Sequence, residues 1–103
     1  MDNLFKEKSS RVMRKGDKVN MDELLGELDS LYLADMDATI STYQTYEEVS
    51  NETYNDFKVV CASLEMLFLL KYIDAKELLE MRQTAAEMRL KKLEELIDEE
   101  NKS

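Results

Sequence analysis

The side chains through which this chain could do chemistry are almost all carboxylates. Glu77 with Glu80, and Glu95 with Asp98, have the three-residue spacing that puts two acids on one face of a helix, the arrangement from which an all-α protein can bind Mg²⁺. Both pairs fall on one expected helix, too far apart along it to converge on a single ion within one chain. In a sequence with 23 acidic residues such pairs arise readily, so a solvated face offset by nearby lysines is the expectation. There is no His, which removes the commonest general base, the commonest metal ligand and every triad built on it. Cys61 stands alone among apolar neighbours, where burial raises a thiol pKa and favours a structural role. Gly16 and Gly26 are ten residues apart, so neither a phosphate-binding loop nor a dinucleotide fingerprint forms. No catalytic, metal-ligating or cofactor-binding residue is expected, and the chain reads as non-enzymatic.

Charge is more informative. Between Met21 and Phe57 stand ten acids (Asp22, Glu23, Glu27, Asp29, Asp35, Asp37, Glu47, Glu48, Glu52, Asp56) and not one Lys or Arg. Residues 1 to 20 carry six basic side chains, Lys6, Lys8, Arg11, Arg14, Lys15 and Lys18, against Asp2, Glu7 and Asp17. That local +3, set against −9 for the whole chain, leaves −12 on the rest. A basic arm on an acidic body points to partners and not to a reaction.

Length and composition set the scaffold. At 103 residues, 44% hydrophobic, with two Gly and no Pro, the chain lacks the turn residues of an all-β fold and is rich in helix formers. The expectation is an all-α, three-helix unit with a basic N-terminal arm, paired into a dimeric helical bundle, because a domain this small buries a modest share of its surface. Residues 1–19 form the arm, flexible or partly helical; 20–98 the domain, with helices at about 20–48, 52–72 and 75–97; and 99–103 a frayed tail. One unpaired Cys and the absence of an apolar signal segment in residues 1–20 favour a reducing, cytoplasmic setting.

Helix one opens on Asn20, which can cap with Glu23 three positions on. At 100° per residue its apolar arc gathers Met21, Leu24, Leu25, Leu28, Leu31, Tyr32, Met36, Tyr43, Tyr46 and Val49, with nearly all the acids opposite. Helix two is apolar nearly all round. The run from Val59 to Ile73 rises only about 22 Å against a hydrocarbon core of about 30 Å and contains Glu65 and Lys71, so it is not a membrane span. One of its faces holds Phe57, Val60, Cys61, Leu64, Leu67 and Phe68. The other, with Val59, Met66, Leu69, Leu70 and Ile73, is left for self-association. Asp74 and Glu77 repeat the capping-box spacing and start helix three, from whose apolar arc Arg82 and Arg89 project. Buried guanidinium groups need carboxylates, for which Asp35 and Glu65 are the expected partners.

The leading functional expectation is an acidic helical interaction protein that binds and regulates a basic or nucleic-acid-handling partner protein. The docking face would comprise Asp22, Glu23, Glu27, Asp29, Asp37, Tyr43, Glu47 and Glu48, in the extreme as a nucleic-acid mimic whose carboxylates stand in for phosphates. The alternative is a nucleic-acid-binding accessory protein that holds DNA or RNA with the six basic residues of the arm, the bundle serving to dimerise. Size, helical content and charge are of a type common among small phage and mobile-element proteins, though no motif carries that likeness.

Overall fold

The computed structural model describes Phe5 and residues 20–102. Three helices make up the domain: α1 (Met21–Thr42), α2 (Tyr46–Leu69) and α3 (Ala75–Lys102). The fold is all-α, and among the described residues no helix is long and apolar enough to cross a membrane.

Side-chain caps set the helix boundaries. The Asn20 side chain accepts the Glu23 N–H at 3.2 Å, and Asp22 and Glu23 occupy the first turn, where acids favour the positive end of the helix dipole. α1 ends at Thr42, earlier than the expected 48, because Tyr43 turns extended and Thr45 opens a new helix. The Thr45 hydroxyl accepts the Glu48 N–H at 3.2 Å and donates to the Glu48 carboxylate at 2.8 Å. α2 closes in a Schellman turn: Lys71 adopts φ 68°, donates its N–H to the Phe68 carbonyl, and Tyr72 donates to that of Leu67. Asp74 and Glu77 then cap each other's backbone N–H groups at 2.9 and 2.8 Å, as their spacing predicts. Ile73 and Leu78 flank that box at the staple positions, both in the core. With no Gly or Pro to stop it, α3 continues in helix-forming residues to Lys102, through most of the expected frayed tail.

The two short connections make neighbours antiparallel, so α1 and α3 run the same way on either side of α2. The core draws on all three, with Leu25, Tyr32 and Met36 from α1, Val60, Leu64 and Leu67 from α2, and Leu78, Met81 and Ala85 from α3. Tyr32 ties α1 to α3 by donating its hydroxyl to the Ala85 carbonyl at 2.6 Å. Burial pushes that phenol far above its ordinary pKa, with the nearby Cys61 adding to the shift and Arg89 opposing it.

Phe5 lies in the same core, fully buried, and its N–H donates to a carboxylate oxygen of Asp29 at 3.1 Å. A residue of the expected arm, residues 1–19, is thus part of the domain's packing. Ile73, expected on the self-association face, is likewise a core residue, because the tight turn after α2 swings it inward.

Replacing Phe5 by Ala should therefore lower unfolding stability by about 3 kcal/mol, the typical cost of deleting a buried aromatic ring. A solvated arm would give no change in the urea midpoint. In the opposite direction, nothing lies within 4 Å of a Cβ placed on Gly26 in α1. Gly26→Ala should raise stability by about 0.5–1 kcal/mol through helix propensity alone, read from the same titration.

Candidate functional site

The outer face of α1 and the start of α2 carry the acids. Asp22, Glu23, Glu27, Asp37, Glu47 and Glu48 are exposed, and Tyr43, at the break between the helices, is half-buried. Asp37 receives Lys92 of α3 at 2.9 Å, so it closes the bundle across α1 and α3 and is not a free docking charge. Asp29 does not belong to this face, being fully buried and holding the Phe5 N–H. Asp35, expected to turn inward, is exposed. The basic residues Lys6, Lys8, Arg11, Arg14, Lys15 and Lys18 lie outside the described residues.

The two arginines of α3 part ways. Arg82 approaches Glu65 at 4.0 Å with both side chains about half exposed, a solvated pair of the kind that contributes about 0–1 kcal/mol. Among the described residues Arg89 finds no carboxylate. It donates to the Ser50 carbonyl at 2.7 Å, to the Ser50 hydroxyl at 3.2 Å and to the Thr53 hydroxyl at 3.3 Å, and lies over the Tyr54 ring at 5.4 Å. Those oxygens satisfy the guanidinium at the bundle's edge without burying an ion pair. Ser50 and Thr53, which provide this cradle, sit inside α2.

Glu77 is buried and spends a carboxylate oxygen on the Asp74 N–H, while Glu95 and Asp98 are exposed. Among the described residues no group of three or more His, Cys, Asp or Glu is placed to hold a metal ion. Cys61 is buried and its thiol is pushed up by desolvation, with Arg82 opposing.

The exposed apolar surface is concentrated on α2. Val59, Met66, Leu69 and Leu70 are 62, 55, 69 and 58% exposed. Leu31 of α1 is 60% exposed, and Leu24 and Leu28 beside it are half-buried. Val59 and Met66 border a groove between α1 and α2, whereas Leu69 and Phe68 line a separate hollow at the α2–α3 corner. Asp35 and Asp56 close one end of the groove. The Asp56 carboxyl accepts the Thr39 hydroxyl at 2.8 Å. Burial raises its pKa, repulsion from Asp35 and Glu52 adds to the rise, and the Thr39 bond opposes it.

No protein-family model, curated protein or solved structure matches the chain.

Because the fold raises the Asp56 pKa, the folded state holds this proton more tightly than the unfolded one. The carboxyl therefore costs stability once pH rises through its ordinary value, and the cost is fully present above its folded pKa. Asp56→Asn should raise the urea midpoint at pH 7 and lose that advantage as pH falls below the ordinary carboxylate range. An advantage unchanged at low pH would mean that charge is not its source.

Proposed function

We propose that this protein is a non-enzymatic helical interaction protein that docks on, and regulates, a partner with a basic surface, of the class that handles nucleic acid. The observation that carries the reading is the coincidence of two surfaces on α1 and α2. One is an outer acidic face from Glu23 to Glu48; the other is an apolar strip of Val59, Met66 and Leu69 on α2 with Leu70 at its C-cap, each more than half exposed. Exposed apolar side chains clustered this way mark interaction surfaces in small domains. The acids would steer a basic protein and set its orientation, while the apolar residues would supply the lasting contact. Pairing with a second copy is assigned to the corner end of the strip, at Leu69 and Leu70.

Affinity capture from the native cell with the intact chain should retain a basic protein. A variant with Glu23→Gln, Glu27→Gln and Glu47→Gln should lose it; retention of nothing, or equal retention by both, removes the reading. Light scattering at micromolar concentration should give twice the chain mass of 12.1 kDa. Leu69→Glu with Leu70→Glu should return the mass to that of one chain, and a wild-type monomer would remove the pairing.

A further inference from the structure

The groove between α1 and α2 is apolar for two turns and ends in acid. Leu24 and Leu28 face Ala62 and Met66 across an open hollow of about 470 Å³. A turn further along, Leu31 and Val59 continue the floor up to Asp35 and Asp56. Among the described residues no Lys or Arg lines either part. Lys58 of α2 and Arg89 of α3 are both engaged on the Tyr54 ring, at 5.2 and 5.4 Å. Among the described residues the groove thus offers apolar side chains along its length and two carboxylates with no basic side chain lining the same end.

We propose that it holds one amphipathic helix of a partner protein, apolar towards Leu31, Val59 and Met66 and carrying a Lys or Arg that reaches Asp35 and Asp56. This rests on reading the chain as an interaction protein and names what the partner presents. The length follows from the floor: Leu24 to Asp35 is eleven steps of 1.5 Å, about three helical turns. A helix seated there would use apolar residues at i, i+3, i+4 and i+7, the usual register of helix-in-groove recognition. The α1 of a second copy fits poorly, since the segment from Met21 to Phe57 contains no Lys or Arg and would bring carboxylates to carboxylates.

The test uses the full chain and a fluorescent peptide of three to four turns, with Leu at that register and two Lys at one end, followed by anisotropy at about 0.15 M salt, where surface charge is well screened. Binding should weaken about tenfold or more with Met66→Glu, and about tenfold with Asp35→Asn plus Asp56→Asn. Glu27→Gln plus Glu47→Gln, the same change in charge on the outer face, should alter it less than about twofold. Met66, the hydrophobic test position, is already solvent-exposed, and circular dichroism checks that each variant stays folded. Equal weakening by the two charge pairs, or indifference to Met66→Glu, overturns the proposal. So does a dimer that Met66→Glu dissociates in the absence of peptide, because the occupant is then a second copy. If the peptide fails while affinity capture still retains a partner that outer-face neutralisation releases, the groove assignment falls and the interaction reading stands.

Discussion

Three helices can cover only part of the middle one, and the rest of this molecule follows from that constraint. From Val59 onward α2 is apolar around most of its circumference, and α1 and α3 pack against the sectors that hold Val60, Cys61, Leu64 and Leu67. The opposite sector keeps its large side chains in water, because no other described helix lies over it. Exposure of Val59, Met66, Leu69 and Leu70 is thus a consequence of topology. Burying them at about 25 cal/mol per Å² is the largest favourable term the surface still offers.

The polar contacts that close the bundle are arranged so that few full charges are desolvated in pairs. Arg89 is met by a carbonyl and two hydroxyls, Tyr32 gives its hydroxyl to a carbonyl, and the ion pairs Arg82–Glu65 and Lys92–Asp37 stay at the surface. A buried ion pair repays its desolvation only with excellent geometry; neutral acceptors avoid the problem. Two carboxylates are buried, Glu77 in the cap of α3 and Asp29, which is fully so. The use of Asp29 is topological: it holds the backbone of Phe5 and so fixes a ring from the far N-terminal end into the core.

Much of the fold was legible because it rests on local chemistry. The Asp74–Glu77 box marks the start of α3 to the residue, and periodicity sorts most of the two faces of helix two, although Phe68, set with the inward residues, is exposed and Ile73, set with the outward ones, is buried. The break between α1 and α2 was equally local, since Thr45 and Glu48 form the same kind of box. It was masked by Tyr43, Tyr46 and Val49, which continue the arc of helix one on paper although two of them belong to α2. Phe5 could not be found this way, because one aromatic residue in a charged segment has no periodicity to declare it. The acidic surface was half legible: the acids are visible in composition, but which of them turn inward depends on where the neighbouring helices lie.

The misplacement of one carboxylate bears on the groove. Centring helix one on its apolar residues puts Asp35 inside and Asp29 outside, whereas the helix is rotated by about 60° from that setting, at 100° per residue. Met21, Leu25, Tyr32 and Met36 face the core, and Asp29 goes in with them. Leu24, Leu28 and Leu31, which pulled the expected arc the other way, line the groove beside α2 together with Asp35. The apolar stripe of α1 is therefore wider than this bundle can use. A surplus of Leu on the edge that borders the exposed strip of α2 joins the two into one continuous apolar surface, bounded at one end by Asp35 and Asp56.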